Sequence, residues 1–266
     1  MDDKQFRRLL EYLDLSWAGY RKVRKGVKKR IARHMEGLGC HTMDEYLLTL
    51  EGPPALRLEC ERLMAISISR FFRDRSLWQT LEDMILPEIL KRNLDSVRVW
   101  SAGCACGEEV YSLKISWERL RARHSQMPLL DLVATDLNPL YLDRAKSGIY
   151  PRSSLREIPE EIRPTYFERQ RGKGHFAVQT FLKDGISWQE HHLLSDPPEN
   201  NFHLILLRNN LLTYYKEEII DPALKRVATC LTPEGYLIIG AREKIPSLPA
   251  KLTPLKDHPC IFQNRH

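Results

Sequence analysis

Apolar residues near the amino terminus recur at the spacing of a helix. The first set, at positions i, i+3, i+4 and i+7, is Phe6, Leu9, Leu10 and Leu13, which predicts a helix with one buried face. We expect Ser16 to cap a second helix over about 17–36, followed by helices at 44–48 and from about 55. Because no strand pattern occurs before residue 96, residues 1–64 are predicted to form a small all-α domain.

From residue 96 the pattern changes to short apolar runs that alternate with helical segments. The predicted strands are 97–100, 130–135, 202–207 and 235–240, and the predicted helices are 108–123, 139–147 and 216–230. Such alternation is typical of an α/β domain, here 96–266, with a parallel sheet between two helical layers. A linker with a helix would occupy 65–95. Residues 175–188 are predicted to form either a strand or a hairpin around Lys183-Asp184-Gly185, within a small β insert at about 172–190.

Positive charge is concentrated in one segment of a chain whose net charge is +6. Eight basic residues and no acidic residue fall within 21–33, which favours an acidic protein partner, while a solvated face remains the plain alternative. Aromatic residues near it are few beyond Trp17 and Tyr20, so nucleic acid is disfavoured. Within the segment, Val23, Val27 and Ile31 would face the core, and the candidate partner-reading side chains are Arg24, Lys28 and Arg30.

Composition excludes several classes of protein. None of the six cysteines has CxxC spacing, so we expect neither a disulfide framework nor a metal site. No apolar run approaches the roughly 20 residues of a membrane helix, and the first residues mix charged and apolar positions, unlike a signal peptide. The sequence therefore predicts a cytoplasmic protein with reduced thiols and no membrane insertion.

A loop of small residues and three carboxylates mark a candidate ligand site. The loop 101–107 follows a predicted strand and opens a helix that begins with Glu108 and Glu109, while Asp136 ends the next strand. Ligands of open α/β sheets bind beyond the carboxyl ends of the strands, where a carboxylate suits ribose hydroxyls and would repel an added phosphate. A nucleoside is therefore predicted. The alternative is that the glutamates pair with the helix dipole and Asp136 only closes a turn.

Several motifs occur in an order that resembles the CheR family of protein-glutamate O-methyltransferases. SAGCACGEE at 101–109 resembles the family's glycine-loop motif, and ATDL at 134–137 with AKSGIY at 145–150 resembles its second motif. Further matches are ISRFFRD at 68–74, Arg208-Asn209 with Tyr214-Tyr215, and GYLIIGARE at 235–243. Together they span almost the whole chain. The resemblance implies a Rossmann-like class I methyltransferase domain that follows the all-α domain.

The resemblance also implies roles for individual residues around S-adenosylmethionine and its product S-adenosylhomocysteine. Glu109 would meet the amino-acid end, Asp136 the ribose, and His192-Leu193 would lie near the adenine. The complete implied cofactor set is Ser67, Ser69, Arg73, Ala102, Gly103, Glu109, Asp136, Leu137, His192, Leu193, Arg208 and Asn209, and the implied catalytic set is Arg73, Arg208 and Tyr214. The segment 208–214 is one residue longer than the family's usual spacing, which leaves Tyr214 and Tyr215 as alternatives for the catalytic tyrosine.

The implied reaction is methyl transfer to a protein glutamate, which gives the methyl ester. The basic helix would face acidic helices of a chemoreceptor. An ionised carboxylate is already a nucleophile, so positioning supplies most of the catalysis, and Arg73 or Arg208 would orient that carboxylate. Two alternatives stay open from the sequence. One is a methyltransferase of the same fold that acts on a small molecule or RNA, and the other is a non-catalytic regulatory module that binds the cofactor.

Overall fold

The amino-terminal part of the chain is helical. The structure, a computed structural model, describes residues 1–172 and 174–265. The helices within 1–64 are α1 (Asp3–Tyr12), α2 (Trp17–Tyr20), α3 (Arg24–Gly37), α4 (Met43–Leu50) and α5 (Pro54–Met64). Capping boxes start α1 at Asp2 and α4 at Thr42. The apolar faces meet in one buried cluster, which includes Phe6, Ile31 and Tyr46.

The single helix predicted over 17–36 is wrong, because a turn separates α2 from α3. The N–H of Val23 donates to the carbonyl of Tyr20, three residues earlier, instead of continuing the α-helical ladder. The hydroxyl of Ser16 makes no capping bond. The break lets α2 turn its Gly19 side onto a distant loop at 213–214, a contact that no local pattern reveals.

Helices and strands alternate through the rest of the chain. The segment before the first strand holds α6 (Arg75–Thr80), a π-helical turn (Leu81–Ile85) and α7 (Leu86–Leu90). The later helices are α8 (Glu108–Arg121), α9 (Pro139–Ser147), α10 (Arg163–Tyr166), α11 (Leu211–Tyr214) and α12 (Glu217–Thr229). The strands are β1 (Ser96–Ala102), β2 (Leu129–Asp136), β3 (Ile149–Pro151), β4 (Phe167–Arg169), β5 (His175–Val178), β6 (Ile186–Glu190), β7 (Phe202–Leu207), β8 (Leu231–Ile239), β9 (Leu252–Leu255) and β10 (His258–Asn264).

The larger sheet has the order of a nucleotide-binding α/β fold. Among the described residues it contains seven strands in the order β6-β2-β1-β7-β8-β10-β9. The first five are mutually parallel, and β10 runs antiparallel to β8. Reading outward, the parallel part follows the order 3-2-1-4-5 known from Rossmann sheets. One hydrophobic cluster covers each face of the sheet, so the α/β, Rossmann-like fold with a preceding helical part is confirmed.

Residues 175–188 contain the predicted strand material, but the hairpin alternative is wrong, because the two strands belong to different sheets. His175–Val178 pairs with Ile149–Pro151 and Phe167–Arg169 in a small antiparallel sheet. Ile186–Glu190 instead runs parallel to β2 on the edge of the larger sheet. This edge strand pairs with β2, which lies about fifty residues earlier in the sequence. The alternation of apolar and polar residues within one segment does not identify so distant a partner. Lys173, within the predicted insert, and His266 lie outside the described residues.

Every helix in the described part of the chain is too short or too polar to cross a bilayer.

Candidate active site

A cavity lies where the strands of the larger sheet end. Its floor comes from the residues that follow β1, β2, β6 and β7, and residues of α2, α5 and the segment 65–73 close it from above. Eleven of the predicted site residues line it: Ser69, Arg73, Gly103, Glu109, Asp136, Leu137, His192, Leu193, Arg208, Asn209 and Tyr214. The strand order thus brings together residues that are up to 145 positions apart in the sequence.

Two predicted residues, Ser67 and Ala102, do not line the cavity. The side chain of Ser67 is hydrogen-bonded to Cys106, beneath the glycine loop. Ala102 is buried in β1, and its carbonyl accepts a hydrogen bond from the amide of Asn210. Both residues therefore support the loops that form the wall.

Asp136 is fixed at the end of β2 by backbone hydrogen bonds. Its Oδ2 accepts the N–H of Ala105 and its Oδ1 accepts the N–H of Asn138, each at 2.9 Å. Burial raises the pKa of the Asp136 carboxyl, and these backbone bonds oppose the shift. Each oxygen keeps a second lone pair, so the carboxylate can still accept hydrogen bonds from ligand hydroxyls.

The glycine loop is folded tightly over the end of β2. The N–H groups of Gly103 and Cys104 both donate to the carbonyl of Thr135 at 2.8 Å. Gly103 has a φ of +79°, and a Cβ at this position would lie 2.2 Å from Nδ2 of Asn210. Any larger residue would push Asn210 away from the loop, so glycine is required here for both conformation and space.

Arg208 is the centre of a buried ion-pair network. Its side chain is 3% exposed; Nη1 donates to Oε2 of Glu109 and Nη2 to Oδ2 of Asp74, each at 2.9 Å. The other oxygen of Glu109 accepts the hydroxyl of Ser101 at 2.8 Å. Burial raises the pKa of the Glu109 carboxyl, whereas the charge of Arg208 lowers it. The arginine therefore ties the β7 loop to the glycine loop and to the linker.

Arg73 differs from Arg208 in lacking a carboxylate partner. Among the described residues its guanidinium makes one hydrogen bond, from Nη1 to the carbonyl of Ile68 at 3.1 Å, and no ion pair. Its neighbours Phe72 and Asp74 both have left-handed backbone, with φ of 50° and 65°. Such conformations cost about 1–3 kcal/mol each and cluster at functional sites. Arg73 therefore presents an uncommitted cation to the cavity.

The two adjacent tyrosines contact different groups around the cavity. Burial raises the pKa of Tyr214, and the positive charge of Arg73 opposes that shift. Burial also raises the pKa of Tyr215, and the nearby carboxylates of Glu61 and Asp136 add to it. Tyr214 therefore belongs to the Arg73 side of the cavity and Tyr215 to the Asp136 side.

Glu243 holds the loop after β7 in place, although it is not among the site residues that the sequence predicts. Its Oε2 accepts the N–H groups of Asn209 and Gly240 at 2.8 and 2.7 Å, and its Oε1 accepts the hydroxyl of Thr213. Asn209 has left-handed backbone with a φ of 56°. Glu243 ends the motif at 235–243, but two of its three partners, Asn209 and Thr213, follow a different strand, β7.

Residues of α5 form a second group that the sequence did not reveal. Glu61 lies 3.4 Å from Nε2 of His192, while Nδ1 of His192 accepts the N–H of Leu194 at 3.1 Å. Burial would raise the pKa of Glu61, but hydrogen bonds from His192 and Arg57 outweigh it and lower the pKa. These contacts join the helical part to the loop after β6.

Unpartnered polar atoms at the cavity are consistent with a polar cofactor. Nε of Arg208 is a buried donor with no partner among the described residues, and Nδ1 of His191 is a buried atom without one. Because Nε2 of His191 faces the carbonyl of Asp196 at 2.9 Å, this nitrogen is the donor, and Nδ1 is the acceptor in the neutral ring. A nucleoside that carries an amino-acid group has hydrogen-bond donors, acceptors and a carboxylate. These groups can pair with the two unpartnered atoms and with the side chains of Asp136 and Arg73.

Comparison with known proteins identifies the family. Residues 67–260 match the family model described as "CheR methyltransferase, SAM binding domain". A chemotaxis protein methyltransferase of Listeria monocytogenes is 35% identical over 234 residues, which cover 88% of this chain and 86% of the relative. Chemotaxis protein methyltransferase 1 of Pseudomonas aeruginosa is 29% identical over 242 residues, which cover 89% and 88% of the two chains.

The matched region includes the predicted cofactor residues and the two loops after β1 and β7 that line the cavity. The fold, the unpartnered polar atoms and the family match agree on S-adenosylmethionine as the cofactor. The chain belongs to the CheR methyltransferase family and is an S-adenosylmethionine-dependent methyltransferase.

Proposed function

We propose that the enzyme transfers a methyl group to the side-chain carboxylate of a protein glutamate, giving a glutamate methyl ester and S-adenosylhomocysteine. The observation that carries this proposal is Arg73, whose guanidinium faces the cavity without a carboxylate partner in the described chain. A guanidinium fork binds carboxylates in a defined orientation. The named activity of the chemotaxis methyltransferases to which the chain is similar supports a receptor-type acceptor.

The cofactor contacts follow from the placement of the side chains. We propose that Asp136 accepts the ribose hydroxyls, Glu109 and Arg208 meet the amino-acid end, and the loop at 191–193 lies along the adenine. Leu137, Leu193 and Gly103 supply close, mostly apolar contact. Ser69 and Asn209 complete the rim, while Ser67 and Ala102 act from behind the wall.

Catalysis in this proposal depends on placement more than on proton transfer. The bound cofactor supplies a methyl carbon that is activated by the sulfonium. Arg73 orients the acceptor carboxylate, and Tyr214 packs beside the reacting groups. The buried Trp78 also lines the cavity, and the two aromatic side chains keep water out. Because an ionised carboxylate needs no base, near-attack positioning is the main requirement.

The partner protein would bind to exposed basic residues in and just before α3. These differ from the three candidates that were proposed from the sequence. Arg24 and Lys28 bond to Asp3 at 3.0 and 2.7 Å, and Arg30 donates to the carbonyls of Leu63 and Ala65. These three side chains therefore already have hydrogen-bond or ion-pair partners within the protein. The exposed basic side chains of the segment 21–33 are Arg21 and Lys22, just before α3, and Lys25, Lys29 and Arg33, on α3. Lys25, Lys29 and Arg33 recur every four residues and share one face of the helix.

This arrangement suggests a division of labour along the chain. We propose that 1–64 reads an acidic protein, that 65–95 brings Arg73 to the cavity, and that 96–266 binds the cofactor. The six cysteines, all among the described residues, are unpaired, which suits the reducing cytoplasm as the place of action.

The chemistry of the product tests the proposal. The protein is incubated with methyl-labelled cofactor and an acidic chemoreceptor fragment, and the labelled fragment is then treated with mild base. We expect label that is released as methanol, and no label in a fragment whose methylation-site glutamates are replaced by alanine. A base-stable methyl group would show a different acceptor atom. Binding of S-adenosylhomocysteine without turnover would show a regulatory module.

A further inference from the structure

The short helix α2 approaches the loop that carries Tyr214 more closely than a side chain would allow. A Cβ added to Gly19 would lie 2.1 Å from the carbonyl oxygen of Thr213 and 3.0 Å from Cδ1 of Tyr214. The first distance is far below any real contact of a methyl group. Glycine therefore permits the backbone of α2 to rest directly on the backbone of the Tyr214 loop.

Backbone hydrogen bonds fix the same contact on both sides of the tyrosine pair. The N–H of Ser16 donates to the carbonyl of Tyr214 at 2.7 Å, and the N–H of Lys216 donates to the carbonyl of Asp14 at 3.0 Å. Leu15 and Tyr215 form an isolated antiparallel bridge between them. The segment 14–16 thus pairs with 214–216 like a very short strand.

The ring of Tyr20 continues this contact to the side chain of Tyr214. The ring centroids lie 5.0 Å apart with an interplanar angle of 57°, a favourable distance for an aromatic pair. Tyr20 is 3% exposed, and its hydroxyl donates to the carbonyl of Met64 at 3.1 Å. Tyr214 also packs against the buried cluster of the helical part. The helical part therefore holds both the backbone and the ring of Tyr214.

We infer that Gly19 and Tyr20 are positioning residues that set the place of Tyr214 beside the methyl-transfer centre. This inference rests on the proposed function, because it uses Tyr214 as the residue next to the reacting groups. It assigns the helical part a task inside the active site, in addition to partner recognition. Cofactor contacts made by Asp136 and Glu109 do not pass through α2, so binding and transfer are separable.

A matched pair of glycine variants tests the inference. Gly19→Ala places a methyl group against the Thr213 carbonyl, whereas Gly26→Ala adds one in α3 where nothing lies within 4 Å. Both changes raise helix propensity by a similar amount. We expect Gly19→Ala to lower kcat by about 10-fold or more, since a displacement of about 1 Å can cost on the order of 100-fold. The dissociation constant for S-adenosylhomocysteine should change little, and Gly26→Ala should resemble the wild type in both measurements.

An activity-independent reading separates this inference from the proposed function. A fluorinated tyrosine at position 214 reports its surroundings by fluorine NMR, and its resonance should move in Gly19→Ala but not in Gly26→Ala. Unchanged kcat and an unchanged resonance in Gly19→Ala would overturn the inference. Loss of product binding together with kcat would also overturn it, because α2 would then support the whole fold. If the wild type methylates no glutamate, the proposed function fails while the resonance still tests the contact.

Substitutions of Tyr20 provide a second test. Tyr20→Phe removes only the hydrogen bond to Met64 and keeps the ring against Tyr214. Because the net contribution of one neutral hydrogen bond is small, kcat should stay within about 3-fold of the wild type. Tyr20→Leu removes the aromatic pair and should lower kcat further, with both rates measured well below the melting temperature of each variant. Equal kcat in the two variants would contradict a role for the ring.

Discussion

The two walls of the cavity differ in how their residues are held. The sheet wall, formed by Gly103, Glu109, Asp136 and Arg208, is fixed by hydrogen bonds within the α/β fold. The helical wall is formed by Leu15, Tyr20, Arg57, Glu61 and Met64. Its apolar members Leu15, Tyr20 and Met64 belong to the hydrophobic cluster of the helical part. It meets the sheet wall through a small set of contacts, including those of Gly19 and Glu61. We propose that the sheet wall alone suffices for cofactor binding, whereas methyl transfer requires that both walls be correctly placed.

Removal of Arg208 should have the largest effect, because it breaks the sheet wall itself. Arg208→Met leaves the carboxylates of Glu109 and Asp74 without their buried cation, and loss of one partner of a buried pair costs about 3–5 kcal/mol. Urea unfolding should show this decrease in the free energy of unfolding. Arg8→Met is a suitable control, since both side chains of its pair with Asp44 are exposed, at 45% and 77%. An equal decrease in both variants would contradict the special position of Arg208.

Asp136→Asn should weaken cofactor binding by about 100-fold, because hydrogen bonds to a charged acceptor contribute about 1.5–3 kcal/mol each. Equilibrium dialysis with labelled S-adenosylmethionine measures this directly. Asp131→Asn is a control on the same strand, since its carboxylate pairs with Arg98 away from the cavity. Unchanged affinity in Asp136→Asn would show that Asp136 does not bind the ribose hydroxyls.

Arg73→Ala should leave the sheet wall intact and act mainly on transfer. Because Arg73 has no ion pair among the described residues, the free energy of unfolding should change by less than about 1 kcal/mol. We expect kcat to fall by about 10-fold or more, since the acceptor carboxylate loses its oriented cation. Single-turnover kinetics at saturating cofactor would measure the chemical step, and a wild-type rate would exclude Arg73 from catalysis.

Parts of this arrangement could be read from local sequence and parts could not. The strand at 202–207 and the helix at 139–147 were predicted at their observed bounds. The first is an apolar run interrupted only by His203, and the second begins with Pro139, a residue that favours the first turn of a helix. The hairpin at 175–188 failed because the strand at 186–190 has a distant partner. Strand pairing over long distances is a property of the whole fold, and alternation alone does not encode it.

The site follows the same rule. Asp136 is the last residue of β2 and Glu109 lies in the first turn of α8, so motif and topology were enough to place both side chains at the cavity. Gly19 and Glu243 act on the loop at 209–214 from other elements, and only the assembled structure reveals these contacts. Arg24 and Lys28 looked free in the sequence, although Asp3 is their partner.

The smallest effect is expected on the outer face of the helical part. Reversal of charge in Lys25→Glu with Lys29→Glu should raise KM for an acidic protein acceptor by about 5-fold and leave kcat unchanged, because exposed charges steer association and are screened by salt. Lys251→Glu with Lys256→Glu makes the same change in net charge on another exposed surface. The difference between the pairs should shrink as salt is added. Equal KM values at low salt would contradict partner recognition by α3.

The central claim is that the sheet wall binds the cofactor through Asp136 and Glu109. Titration calorimetry of the folded wild-type protein with S-adenosylhomocysteine tests it most directly. We expect a saturable heat of binding in the wild type and in Gly19→Ala, and a much lower affinity in Asp136→Asn. The absence of any heat of binding across several temperatures, with folding verified by circular dichroism, would contradict it.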